Sequence, residues 1–226
     1  DEMIAEGHPA DQIVGVAKDI GADLTVVGSK GATGSTLFTM GSVSQKVQKY
    51  SSSSVLLTKP PDGTAPTTMR RILIATDGSD NANEAARFLT RFGLQEETEI
   101  TLLSVVQQPG GISPLGSSPA IMEQLRKISF ENAERLIEDT KKLLDTKARV
   151  GTELREGDPA EQILKAGSRM EADLIVVGSK GLSGIKRFLL GSVSERVCKY
   201  SETSVMLVKM PQTPNHSSEG RPEHAS

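Results

Sequence analysis

Three glycines and a serine in one stretch hold the residues best suited to chemistry. Gly178-Ser179-Lys180-Gly181 is followed, nine residues on, by Gly191-Ser192, a G-x2-G-x9-G-S spacing. The stretch begins where a branched aliphatic run (Leu174 to Val177) ends, and it closes at the start of an amphipathic segment from Ser192. Glycines there let a backbone approach phosphate oxygens closely and adopt positive φ. The amides of Ser192, Val193 and Ser194 are first-turn donors, which together with the helix dipole favour an anion. The hydroxyls of Ser192 and Ser194 are suited either to bonding phosphate or to capping the helix. Lys180, Lys186 and Arg187 add positive charge around the mouth, although all three equally suit a solvated surface.

A glycine-rich loop alone is more often a plain turn than a site. Here the loop occurs twice. The stretch from Gly7 to Gly34 returns from Gly157 to Gly184, and Gly41 to Lys59 returns as Gly191 to Lys209, without gaps at an offset of 150 residues. With roughly half the aligned positions identical, the chain reads as a duplicated domain. Gly28, Ser29, Gly31, Gly41 and Ser42 repeat the loop in the first copy.

The second copy alternates strand and helix. Strands are expected at Arg71–Ala75, Glu99–Val106, Arg149–Arg155, Asp173–Val177 and Ser204–Val208. Helices are expected at Asp80–Phe92, Ala120–Leu144, Pro159–Met170 and Ser192–Tyr200. Buried runs such as ILIA, LIVV and VMLV alternating with helices predict an α/β fold, an open doubly wound five-stranded parallel sheet of Rossmann-like type. A partial second copy precedes it at the N-terminus. Asp158-Pro159-Ala160-Glu161 marks a helix start: an N-cap, a proline in the first turn and an acid three residues on. His8 aligns with Asp158 and is expected to cap in the same way.

Residues 1–59 read as the C-terminal part of a domain, 60–70 as a Pro/Thr-rich linker, 71–209 as the complete domain and 210–226 as a disordered tail. Asp1 aligns with Gly151, inside the third strand of the pattern, so the first copy lacks about 70 residues of a domain by comparison with the second. The sequence thus reads as a fragment of a longer protein, a natural half-domain being the alternative. Strand Leu24–Val27 is expected to expose an unpaired edge.

A net charge of −3 gives no electrostatic case for nucleic acid or an anionic membrane. Cys198 stands alone, which excludes an internal disulfide or a cysteine-rich metal site, and it is expected to be a packed thiol. No histidine pair, with His216 and His224 in the tail, has metal-ligand spacing. No apolar stretch approaches the ~20 residues of a membrane span, and no signal-peptide pattern is evident, so the expected location is cytoplasmic.

Three features together resemble the universal stress protein family: the strand followed by Thr76-Asp77-Gly78-Ser79, the G-x2-G-x9-G-S spacing, and the closing GSVSERV…SVMLV from Gly191 to Val208. The resemblance covers Arg71–Lys209 and, as a partial second match, Met3–Lys59. Members with this spacing form the family's ATP-binding branch. The resemblance implies that Gly178, Ser179, Gly181, Gly191, Ser192, Val193 and Ser194 hold the phosphates of ATP, with Mg²⁺ brought by the nucleotide. It implies further that Asp77 lies beside the adenosine portion, that Ala75 and Thr76 line the same edge, and that the Val105 backbone reads adenine. Ala75 stands where some members have Pro, and Ser104 where His is common. The first copy keeps the phosphate half of a site but has no counterpart of Asp77 or Val105.

The expected function is a stress-response or signalling protein whose nucleotide occupancy modulates conformation or partner binding. Two alternatives are a slow ATPase or autophosphorylating enzyme, and a dimerisation module with a vestigial site. No Walker loop, no kinase catalytic pattern and no base poised to activate water is present, so a dedicated enzyme is not expected. The resemblance also implies self-association, or an intra-chain pseudo-dimer, through the last strands Val55–Leu57 and Val205–Val208.

Overall fold

A computed structural model describes residues 1–29, 40–59, 69–107, 118–182 and 190–211. Most of the linker, most of the tail and the loop before the long helix lie outside the described residues. The strands are β1 (Leu24–Gly28), β2 (Ser54–Thr58), β3 (Arg71–Ala75), β4 (Glu99–Val106), β5 (Arg149–Glu156), β6 (Leu174–Gly178) and β7 (Ser204–Val208). The helices are α1 (Pro9–Asp19), α2 (Ser42–Tyr50), α3 (Asp80–Thr90), α4 (Pro119–Lys141), α5 (Pro159–Arg169) and α6 (Ser192–Tyr200).

All seven strands form one sheet, in the order β1-β2-β7-β6-β3-β4-β5. The five strands of the second copy are mutually parallel, as are β1 and β2 of the first. The copies meet where β2 and β7 pair antiparallel, with Leu56 opposite Met206 and Leu57 opposite Val205. The fold is thus the expected α/β type, but its sheet is mixed and continues through both copies. Residues of α1, α2, α5 and α6 pack on one face through Ala10, Val47, Ile163 and Val197, and α3 and α4 cover the other through Phe88, Leu89 and Ile137. Runs such as Ile72-Leu73-Ile74 are wholly buried because helices cover both faces of a parallel sheet.

The first copy is covered differently. Among the described residues its helices α1 and α2 pack on one face only, and Val26 on β1 is 56% exposed. β1 terminates the sheet. Residues 1–6, aligned with β5, form no strand here, and Met3 and Ile4 are exposed. In the second copy β5 draws its ladder from β4.

The helix starts separate two aligned residues. Asp158 accepts the Glu161 amide at 2.9 Å and is held by Arg196 at 2.8 Å, which keeps its carboxyl below the usual range. His8 makes no side-chain cap bond, contrary to expectation, so α1 starts with Pro9 in its first turn but without the acceptor that a carboxylate supplies.

At the junction two lysines cross over. The Lys59 ammonium, just past β2, donates to the carbonyls of Cys198 and Ser201 at 2.9 and 2.7 Å. The Lys209 ammonium, just past β7, donates to those of Gln48 and Ser51 at 2.9 and 2.6 Å. Each lysine therefore caps the C-terminus of the other copy's last helix, where a positive charge complements the helix dipole.

Burial pulls Lys209 down to about 8, with Cys198 opposing the shift and Lys180 adding to it. Burial pushes the fully buried Cys198 thiol from 9.0 up to about 12. The unfolded thiol releases its proton near pH 9 while the folded one keeps it to about pH 12, so this contribution is present below pH 9 and lost between the two. Lys209 acts oppositely, adding stability as pH rises from about 8 to 10.5. A Cys198→Ala variant removes the thiol together with its coupling to Lys209. Thermal melts across pH 9 to 12 are expected to show a steeper fall in melting temperature for the parent than for Cys198→Ala; parallel curves would contradict the assignment.

Candidate functional site

In the second copy the chain reverses its direction of sheet building beside β3, whose neighbours are β4 on one side and β6 on the other. The C-terminal ends of β3 and β6 diverge into loops there, forming the crevice in which open α/β sheets bind ligands. Asp77 follows β3, and Gly178 ends β6.

Three close approaches build the crevice. A Cβ on Gly178 would lie 2.7 Å from the Asn81 carbonyl carbon and 2.8 Å from the Ala82 nitrogen, so only glycine lets β6 meet the first turn of α3. Gly78 has φ +75 and faces Leu136, so both conformation and space demand glycine. A Cβ on Gly181 would strike the Asp77 carboxylate. Gly191 differs: its φ is −67 and a Cβ there would lie 3.4 Å from its nearest neighbours, an ordinary contact. Neither the backbone nor the packing of this structure demands glycine at 191.

Hydrogen bonds tie the loops together. The Asp77 carboxylate accepts the Ser79 amide at 3.1 Å and the Leu182 amide at 3.0 Å, bridging the β3 turn and the glycine loop. The Ser179 hydroxyl donates to Asn81 at 2.9 Å, and its amide donates to the Val208 carbonyl at 2.8 Å. Thr76 is buried, and its hydroxyl lies 2.9 Å from that of Thr140 on α4, which in turn donates to Asn83 at 3.2 Å. Ala75 and Val105 are half-buried at the strand ends on this same edge.

Helix α6 starts at Gly191 with no side-chain cap bond. Glu195 is the residue whose amide bonds back to the Gly191 carbonyl, at 2.9 Å. The amides of Ser192, Val193 and Ser194 come before that first bond and are left to whatever occupies the helix start. The Ser192 side chain is exposed. The Ser194 hydroxyl is not available, because it donates to the Gly178 carbonyl at 2.6 Å and anchors α6 to β6.

The first copy repeats the bonds that tie the glycine loop to the neighbouring strand and helix. Ser44 donates to the Gly28 carbonyl at 2.6 Å, the Gly41 amide to the Ser29 carbonyl at 2.8 Å, and the Ser29 amide to the Thr58 carbonyl at 3.0 Å. Ser42 is exposed at the helix start, and Gly31 lies outside the described residues, as do Lys186 and Arg187. Asn81, Asn83 and Thr140 were not among the residues singled out from sequence. Their signal was weak: polar residues following a turn motif, and one threonine on a long helix.

A cavity of about 1180 Å³ lies elsewhere, between Gly28, Ser29 and Thr58 of the first copy and the end of α5 with Ser201–Ser204 of the second. Its lining cations are engaged: Arg71 with Glu171 at 2.9 Å, Lys165 with Glu161 at 2.5 Å, and Lys59 with the α6 carbonyls. The α6 start, with open amides, suits an anion better than this cavity does. Among the described residues no group of His, Cys, Asp and Glu could hold a metal ion, and no helix is long and apolar enough to cross a membrane.

These features separate structural glycines from a permissive one. Gly178→Ala is expected to lower stability by about 1–3 kcal/mol by overpacking the α3 backbone. Gly191→Ala is expected to change it by less than about 0.5 kcal/mol, as for sites away from such features. Urea unfolding of both variants checks this; equal losses would contradict the distinction.

Comparison with known proteins finds that a sequence model of the universal stress protein family matches residues 1–59 and 68–209. Universal stress protein MJ0531 of Methanocaldococcus jannaschii is 34% identical over 146 residues, covering 63% of this chain and 84% of that protein. A universal stress protein of Mycolicibacterium smegmatis is 29% identical over 188 residues, covering 83% of this chain and 62% of its own length. Among solved structures, MJ0577 superposes with a TM-score of 0.56 at 30% identity, covering 64% of this chain and 99% of that one. A structure from Pseudomonas aeruginosa reaches a TM-score of 0.65 at 18% identity and covers 92% of this chain, a likeness of fold alone.

Proposed function

The chain belongs to the universal stress protein family, and from this premise we propose that it binds ATP at the second copy's glycine loop, with occupancy altering its conformation or its affinity for a partner. The observation that carries this reading is the start of α6. Among the described residues nothing bonds its amides at Ser192–Ser194, and neither φ nor packing demands glycine at 191. A residue without a side chain at that point leaves room for something outside the chain. Phosphate oxygens fit it, because three amides and a helix dipole converge there.

The adenosine end follows from the other strand tips. Asp77 accepts two amides and keeps lone pairs for a ribose hydroxyl or an adenine amino group, since an ionised carboxylate offers about four acceptor sites. Ala75, Thr76 and the Val105 backbone complete that edge. Mg²⁺ would travel with the phosphates, near the exposed Ser192 hydroxyl. The reading is of a binding protein: the Asp77 carboxylate touches the loop and is engaged by two backbone amides that hold it in place. The first copy, with Gly28, Ser29, Gly41 and Ser42, supplies half a site and weak binding at most. The antiparallel junction of β2 and β7 supports treating the two copies as an internal pseudo-dimer.

Calorimetric titration with Mg·ATP tests the reading. The parent is expected to bind saturably, Gly191→Ala to bind at least tenfold more weakly, and Gly191→Val not to bind, with little change in unfolding for the alanine variant. Equal affinity in parent and Gly191→Val would sink it.

A further inference from the structure

The crossed lysines and the glycine loops lie at opposite ends of the same two helices. α6 runs nine residues, about 13 Å, from Gly191 at the loop to the carbonyls that Lys59 caps. α2 runs nine residues from Gly41 to the carbonyls that Lys209 caps. Each helix thus begins in its own copy's phosphate loop and ends on the other copy's lysine.

The lysines are also linked to their own loops. The Ser29 amide donates to the carbonyl of Thr58, the residue before Lys59, at 3.0 Å. The Ser179 amide donates to the carbonyl of Val208, the residue before Lys209, at 2.8 Å. Backbone bonds steady both lysines across the junction: the Lys59 amide donates to Ser204 at 3.0 Å and the Lys209 amide to Ser54 at 3.2 Å. A continuous bonded route therefore leads from the Ser29 loop through Thr58 and Lys59 into α6 and on to Gly191. Its mate leads from the Ser179 loop through Val208 and Lys209 into α2 and on to Gly41.

We propose that Lys59 and Lys209 couple the two loops, each lysine tuning the affinity of the other copy's helix start for nucleotide phosphate. The inference rests on the nucleotide reading above and adds regulation to it. A cation at the C-terminus and an anion at the N-terminus of one helix complement the same dipole. Lys59 also holds the last turn of α6, while Ser194 bonded to Gly178 holds its first turn against β6. Losing the ammonium frees the end of α6 and loosens the amides at its start. Because coupling is reciprocal, a ligand seated on the Ser29 loop shifts affinity at Gly191 by the factor with which one at Gly191 shifts the Ser29 loop.

The test is asymmetric by construction. ATP affinity at the second copy's loop is measured by calorimetry on the whole chain for the parent, Lys59→Met, Lys209→Met and Lys59→Arg. Lys59→Met, which uncaps α6, is expected to weaken binding roughly fivefold or more. Lys209→Met, which uncaps α2, is expected to leave it within about twofold, and Lys59→Arg to retain most of the parent affinity because it keeps the charge. Should Lys59→Met fail to fold, Lys59→Gln removes the charge while keeping hydrogen-bond donors and carries the same expectation. Unchanged binding in Lys59→Met, or equal weakening in Lys59→Met and Lys209→Met, overturns the coupling while the nucleotide reading stands. A parent that binds no ATP overturns both.

Discussion

The site depends on the contact between Gly178 and the first turn of α3. With no side chain at 178, the end of β6 lies against the backbone of Asn81 and Ala82, which brings the β3 turn and the glycine loop into hydrogen-bonding range. Asp77 then reaches Leu182, Ser179 reaches Asn81, and Ser194 anchors α6 to Gly178 itself. A methyl group at that one position would separate the two halves of the crevice. The parallel sheet supplies the strand tips, but this approach makes two neighbouring loops one site.

The glycines of the motif do different work. Gly178 and Gly181 serve the fold, one against α3 and the other against Asp77, whereas Gly191 serves neither its own backbone nor its neighbours. A spacing pattern treats all three alike. Only their surroundings separate them, two glycines packed against neighbours and one with room beside it.

Much of this was legible in the sequence for physical reasons. β3, β4, β7 and α6 fall at the expected residues because buried aliphatic runs and flanking glycines mark them locally. The capping of α5 was legible because Asp, Pro and Glu act within one turn. What escaped was long-range. The bond between Ser179 and Asn81 spans 98 positions, and that between Lys209 and Ser51 spans 158, separations across which no periodicity reports. The repeat held a clue in the second case, since Lys59 and Lys209 end the two aligned stretches at the same register. Residues 1–6 went the other way: alignment with β5 implied an extended strand, and the described structure forms none there. His8 likewise shared a position with Asp158 without sharing its ability to accept the amide in a cap bond.

The most direct measurement is chemical. Freshly purified protein is denatured and any released small molecule identified by chromatography and mass spectrometry, with Gly191→Val treated in parallel. The expected result is an adenine nucleotide from the parent, near one per chain, and none from the variant. No nucleotide from either, together with no uptake of added ATP, would contradict the account and leave the glycine loop as a structural turn.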